Sequence, residues 1–155
     1  DWGQLDILLV DMPPGTGDIQ LTLAQQIALA GVIIITTPQD IALMDAKRGI
    51  EMFSKMRVPI LGVVENMAMH ECNFCGQSQE IFGAGGGAAI ALEYNTILLG
   101  QLALAKDVRE CGDRGMPVIA ADPKSKAALA CKSLADLVGQ VISSRQGNES
   151  ELVIE

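Results

Sequence analysis

The sequence predicts an α/β protein, part of a doubly wound, mainly parallel sheet, and three observations carry that expectation. Apolar runs of strand length recur at Leu5 to Val10, Val32 to Thr36 and Ile60 to Val64. They have the near-continuous hydrophobicity of strands that helices cover on both faces. Stretches of helical period separate them, so consecutive strands are joined by crossovers, which run right-handed. Each run also ends in polar residues, namely Asp11, then Thr37 to Asp40, then Glu65 with Asn66. Open α/β sheets bind their ligands outside such strand ends.

The first run, with Leu5, Ile7, Leu8, Leu9 and Val10, reads as a buried strand that delivers Asp11 to its carboxyl end. An acid there can hold a magnesium ion or its water. Pro13, Pro14, Gly15 and Gly17 then forbid helix, and Asp18 is placed to cap the helix that follows. Ile19, Leu23 and Ile27 share a face of that helix, with Gly31 as its C-terminal stop.

Val32 to Thr36 is the second strand, and Leu43, Ala46, Ile50 and Phe53 mark an amphipathic helix running to about Met56. Pro59 breaks the chain before the third strand. From Met67 to Gly87 no period is visible, and this stretch holds Cys72, Cys75, His70 and the glycines Gly83 and Gly85 to Gly87. A long loop of this kind inside a compact domain is a functional one.

A short helix from about Ala88 to Tyr94, a strand at Ile97 to Gly100 and a helix from Ala105 to Cys111, stopped by Gly112, come next. The last helix is expected to start at Asp122 as N-cap with Pro123 as its first residue, and Ala127, Cys131, Leu134, Val138 and Val141 form its inward stripe. Residues 1–142 therefore read as one unit and 143–155 as a polar, disordered tail.

Composition bounds the function. In 155 residues, 49% are hydrophobic and 19% charged, which is globular, and only 3% are aromatic, so the core must be aliphatic. A net charge of -8 with no basic patch excludes a nonspecific nucleic-acid binder, whose affinity comes from clustered Lys and Arg. No run approaches the roughly 18 apolar residues of a membrane span, and no signal-peptide pattern is present, so a cytoplasmic protein without a membrane partner is expected.

Chemistry concentrates at Cys72 and Cys75, because two thiolates three positions apart in a turn can bind one edge of a metal centre. Zinc or a cubane cluster wants four such ligands. A two-fold dimer supplies them, each chain giving its pair. A redox pair would instead sit at a helix start directly after a strand, and here Met67 to Glu71 intervene. Cys111 and Cys131 suit packing. His70 is a weaker ligand candidate, and a solvated side chain is its ordinary role.

The glycines of Gly83 to Gly87 follow no strand and are not followed by Lys and Ser or Thr, so they do not form a phosphate loop. Their expected role is to turn the cysteine loop into the next helix. Asn66 can read a base edge with one donor and one acceptor or serve as a turn residue. Asp40 and Asp45 suit a helix start on electrostatic grounds alone.

Taken together, VDMPPGTGD, TTPQDIALMDAKRGIEMF, VPILGVVENM, CNFCG and IFGAGGG occur in the order found in the Mrp/ApbC family of iron-sulfur cluster carriers, which the chain resembles from about Asp1 to Val141. That family consists of P-loop ATPases of the deviant Walker A class, related to MinD. The resemblance implies a doubly wound sheet that binds ATP and Mg2+, a homodimer, and a [4Fe-4S] cluster bridging two subunits for delivery to apo iron-sulfur proteins. Asp11 resembles the Walker B or switch II acid. Pro14 and Gly15 resemble a loop that brings a backbone N–H to the γ-phosphate, Asn66 the adenine-reading asparagine, and Cys72 and Cys75 the cluster ligands.

The family's glycine-rich Walker A loop has no counterpart in these residues. The chain therefore reads as the C-terminal portion of a P-loop NTPase domain, lacking the first strand and the phosphate cradle, and is expected to be inactive as an ATPase alone. Two other functions compete. A MinD-like regulator calls for a basic amphipathic C-terminal helix, whereas 143–155 is acidic. A zinc-bridged structural dimer would use the same two cysteine pairs.

Overall fold

A computed structural model describes residues 3–13, 15, 17–72 and 74–149, the last four of these by backbone alone. The elements run α1 (Asp18–Gln26), β1 (Val32–Thr36), α2 (Asp40–Lys55), β2 (Ile60–Glu65), β3 (His70–Glu71), β4 (Ser78–Gln79), α3 (Gly86–Glu93), β5 (Leu98–Gln101), α4 (Lys106–Asp113), α5 (Val118–Ala121) and α6 (Lys126–Glu149). The main sheet has three strands in the order β1-β2-β5, all parallel, and β3 pairs with β4 as a small antiparallel hairpin.

The apolar runs produce this arrangement directly. β2 is the central strand, and Leu61, Val63, Val64 and Glu65 on it are all buried, as expected of a parallel strand with both faces covered. Helices α2 and α3 lie against β1 and β2, while α6 packs against β5 and β2. Ile34, Ile50, Phe53, Val63 and Ile90 form the heart of the core between the sheet and the α2/α3 pair. Burying one such side chain contributes roughly 1.5–3 kcal/mol, so this layer, more than helix propensity, sets the fold. At the rim of α2 and α3, Lys47 pairs with Glu93 at 2.7 Å and Tyr94 donates to Glu51 at 3.2 Å.

Several sequence expectations are corrected. Leu5 to Val10 forms no strand: its large apolar side chains are exposed, Leu9 by 76%. An apolar run becomes a strand only when another strand offers it backbone donors and acceptors, and among the described residues none lies beside it. Helix α1 begins after Gly17 without a side-chain cap, and Asp18 is its first residue. What ties α1 to the preceding loop is the buried Gln20, whose Nε2 donates to the carbonyl oxygen of Pro13 at 2.7 Å.

In the second half, α4 continues through Gly112 to Asp113, and the short α5 was not foreseen. Helix α6 starts at Lys126, not at Pro123. Ser125 is the residue that caps it, its Oγ accepting the N–H of Ala128 at 3.2 Å, whereas Asp122 closes a turn by accepting the N–H of Lys124. The helix then runs past Ser143, where a polar tail was expected, as far as Glu149. No helix among the described residues is long and apolar enough to cross a membrane.

Candidate metal centre

The stretch that follows Met67, featureless in sequence, carries a small hairpin, β3 with β4, beyond the carboxyl end of β2. The turn off the sheet is made at Met67, which takes φ 56, while Asn66 donates its N–H to the carbonyl of Thr36 at 2.7 Å. From there the chain is laced to the segment that leaves β5. Leu102 N–H donates to Glu65 at 2.9 Å, Ala68 N–H to Leu102 at 3.0 Å, and Leu104 N–H to Met69 at 2.7 Å. His70 completes the seam with Nδ1 at 3.0 Å from the carbonyl oxygen of Leu104.

β3 and β4 follow, with His70 opposite Gln79 and Glu71 opposite Ser78. Their turn carries both cysteines. Cys72 donates its N–H to Gln77 at 2.9 Å and accepts that of Gly76 at 2.9 Å, and Gly76 reaches this geometry at φ 69, which a residue without Cβ adopts freely. The hairpin is also tethered from outside, since Lys126 at the start of α6 meets both carboxylate oxygens of Glu71 at 2.7 Å.

The two thiols differ. The backbone N–H groups of Cys75 and then Phe74 are directed at the Cys72 sulfur, and the Cys75 thiol adds to them, so the Cys72 thiol is held below the usual cysteine range. Donors aimed at sulfur favour the thiolate, which is the form that binds metal. Cys75 is exposed, with Sγ 3.9 Å from Gln77 Oε1. Both cysteines are free thiols, as are Cys111 on α4 and Cys131 on α6, which are half-buried. Among the described residues no cluster of three or more Cys, His, Asp or Glu could hold a metal within one chain.

The glycine-rich turn has a definite role. Gly85 adopts φ 72 at the N-cap of α3. A Cβ on Gly87 would lie 2.8 Å from the Cβ of Glu65, and one on Gly86 would lie 2.6 Å from Leu43. The helix therefore approaches β2 and α2 too closely for any side chain there. Its N-terminus is filled by the protein's own anion: the Glu65 carboxylate accepts the N–H of Gly87 and, at 2.7 Å, the amide of Gln101. Glu65 is 0% exposed. The favourable end of the α3 dipole, where a phosphate could otherwise sit, is thus occupied.

The candidate nucleotide residues are less assembled. Asn66 is half-buried just after β2, its Oδ1 accepting the N–H of Met67 at 2.9 Å. Asp11 and Gly15 are exposed on a segment outside the sheet, with open space where a Gly15 Cβ would lie, and Pro14 lies outside the described residues. The structure brings Asn66 and the cysteine hairpin onto one continuous seam and leaves Asp11 off it. Sequence reasoning placed Glu65 at the strand end but missed its role as a clamp, and missed Gln101 and the Leu104 carbonyl. The signal for the first was present, because an acid closing a wholly apolar strand must find donors when buried.

Comparison with known proteins places these features in context. Residues 1–139 match the family model described as ParA: NUBPL iron-transfer P-loop NTPase. An iron-sulfur cluster carrier protein of Pseudomonas fragi is 53% identical over 139 residues, covering 90% of this chain and 48% of that protein. The iron-sulfur cluster transfer protein NUBPL of Mus musculus is 47% identical over 144 residues, covering 93% of this chain and 45% of that protein. The chain thus spans about half the length of these relatives. Among solved structures, a nucleotide-binding protein of Archaeoglobus fulgidus in complex with ADP aligns at TM-score 0.65 and 36% identity, over 74% of this chain and 47% of that one. The MinD cell division protein of Aquifex aeolicus aligns at TM-score 0.63 over 91% of this chain and 55% of that one, and at 19% identity this speaks for the fold alone.

Proposed function

Because the chain belongs to the NUBPL-like iron-transfer family of ParA-type P-loop NTPases, we propose that it is the cargo-bearing part of an iron-sulfur cluster carrier. In this reading Cys72 and Cys75 of two chains hold a [4Fe-4S] cluster between them and release it to apo iron-sulfur proteins. The observation that carries the reading is the hairpin itself: two thiols at an exposed turn, one of them held toward thiolate by backbone N–H groups. Two donors from one chain are half a tetrahedral set, so a two-fold partner completes it. Transfer is then ligand exchange. A recipient thiolate forms an iron–sulfur bond as the bond to Cys72 or Cys75 breaks, and the proton lost by the recipient thiol is taken up by the departing cysteine.

The nucleotide half of the function belongs to the same proposal. Asp11 would act as the magnesium-side acid, Pro14 and Gly15 would present backbone to the γ-phosphate, and Asn66 would read adenine. Support comes from the placement of Asn66 at a strand's carboxyl end and from the archaeal neighbour's ADP. The seam from Glu65 to His70 then gives nucleotide occupancy at Asn66 a rigid route to Cys72. No Lys follows a Gly in the sequence, so the phosphate cradle is not supplied by these residues. The isolated chain should bind ATP poorly and hydrolyse none. Its setting is taken to be the cytoplasm.

Anaerobic reconstitution with iron and sulfide tests the proposal. A brown protein is expected, with iron and sulfide in equal amounts and about two iron atoms per chain, and the colour lost in Cys72→Ser and Cys75→Ser. Unchanged loading of the double variant would refute the assignment. Recovery of zinc alone, with no cluster formed on reconstitution, would favour a structural metal.

A further inference from the structure

We propose that α4, α5 and the first turns of α6 form a shelf beside the cysteine hairpin on which an acidic recipient protein docks. This rests on the carrier reading of Cys72 and Cys75 and adds where the recipient is held and what its surface must be.

Backbone and side-chain bonds tie the shelf to the hairpin. α4 begins two residues after Leu104, whose N–H donates to Met69 and whose carbonyl oxygen meets His70. α6 begins at Lys126, which grips Glu71 on β3. Both helices therefore start at the root of the hairpin, and α5 packs against each of them.

Apolar side chains stand in water along these elements. Val108 on α4, Met116 in the link to α5, Ile119 on α5 and Leu129 on α6 are each 40–53% exposed. Large apolar side chains left uncovered on adjacent elements mark a contact surface.

Charge decides the kind of partner. The chain as a whole carries -8, yet from Leu104 to Lys132 six Lys or Arg stand against four acids. All four acids are engaged within the chain. Glu110 pairs with Lys106 at 3.3 Å and Asp113 with Arg109 at 2.7 Å, while Asp107 and Asp122 accept the N–H groups of Val108 and Lys124. Arg114, Lys124 and Lys132 are exposed, and their side chains meet no acid among the described residues. Lys132 also follows Leu129 by three positions, so the two are neighbours on the surface of α6.

An apolar surface rimmed by unpaired cations fits a partner whose own docking face is apolar with carboxylates around it. A second copy set two-fold on this shelf would oppose cations to cations. The apolar side chains between the cations argue against a phosphate backbone, which is met by clustered Lys and Arg.

The test uses the anaerobically loaded protein and, as recipient, the apo form of an acidic [4Fe-4S] ferredoxin. One variant combines Lys124→Glu with Lys132→Glu, and a second is Leu129→Ser. A control combines Lys55→Glu with Arg57→Glu, exposed positions at the end of α2 and outside the shelf, for the same change in net charge. The shelf lysines are exposed and unpaired, so their variant should keep the parental circular dichroism and melting curve. Its second-order rate of cluster transfer at low salt should fall about tenfold. Leu129→Ser should also slow transfer, and the control should stay near the parental rate. Removal of iron by a small chelator, which needs no docking, should be equal in all four proteins. Parental transfer by the lysine variant would overturn the inference and leave the cluster reading intact. So would equal losses in the lysine variant and the control, or a loss matched by slower chelation. Binding of duplex DNA by the parent in place of the apo-ferredoxin would overturn the inference as well. A parent that loads no cluster would overturn the cluster reading and the inference with it.

Discussion

Nδ1 of His70 lies 3.0 Å from the carbonyl oxygen of Leu104, and this contact pins the root of the cysteine hairpin to the segment leaving the sheet. A carbonyl only accepts, so Nδ1 is the donor in this contact. The imidazole is thereby a strut first, whatever its Nε2 does. His70→Ala should cost on the order of 1 kcal/mol and speed amide hydrogen exchange across the hairpin. His70→Asn, which keeps a donor, should recover part of the protection. Hairpin amides exchanging at the parental rate in His70→Ala would show that the other seam bonds suffice.

Glu65 is the sharper case, because its carboxylate satisfies two donors at a site with no water access. Glu65→Ala leaves the Gly87 N–H and the Gln101 amide unpartnered, each at about 1–3 kcal/mol. A large fall in the urea midpoint should follow. Glu65→Gln keeps one acceptor and should lose less, while Gly87→Ala should destabilise by steric conflict with Glu65, given the 2.8 Å approach. Equal midpoints for Glu65→Ala and the parent would mean that α3 is not held by this clamp.

What the sequence disclosed follows from how local each signal was. VIIIT, the Leu43 to Phe53 stripe and the run after Pro59 declare themselves because burial on known faces leaves a period in the residues, and each formed as expected. The cysteine spacing was equally plain, and Cys72 and Cys75 do share one turn. Leu5 to Val10 failed because a strand's identity depends on a neighbour, which its own residues cannot supply. The seam and the Glu65 clamp were hidden for the same reason: they join positions 65–70 to 87 and 101–104, and no local pattern marks a partner that far along the chain.

The start of α6 shows two candidate caps separated by three residues, and geometry chooses between them. Ser125 Oγ accepts a helix N–H, whereas Asp122 serves the turn before it. Ser125→Ala should therefore cost about 1 kcal/mol, and Asp122→Ala less. Because Lys126 holds Glu71 from the same turn, fraying there should also loosen the hairpin. Thermal melts of the two variants decide the order, and a larger loss for Asp122→Ala would reverse the assignment.

Cys72 offers the test that reaches chemistry. Its thiol is held low chiefly by the backbone N–H of Cys75, then by that of Phe74, with the Cys75 thiol contributing less and partial burial opposing. A lowered value means more thiolate at any given pH, so alkylation of Cys72, followed by peptide mass spectrometry, should reach half its maximal rate below the value of about 8.5 expected for a free cysteine. In Cys75→Ser the main cause survives, because the backbone N–H is retained, and most of the shift should remain. The sign carries over to metal binding: above the depressed value Cys72 is ready as a ligand, and as pH falls through it protons compete and the metal is released. Unfolding in urea removes the oriented N–H groups and should return Cys72 to ordinary behaviour. Coincident alkylation profiles for the folded and urea-unfolded chain would show that the turn does not prime this sulfur.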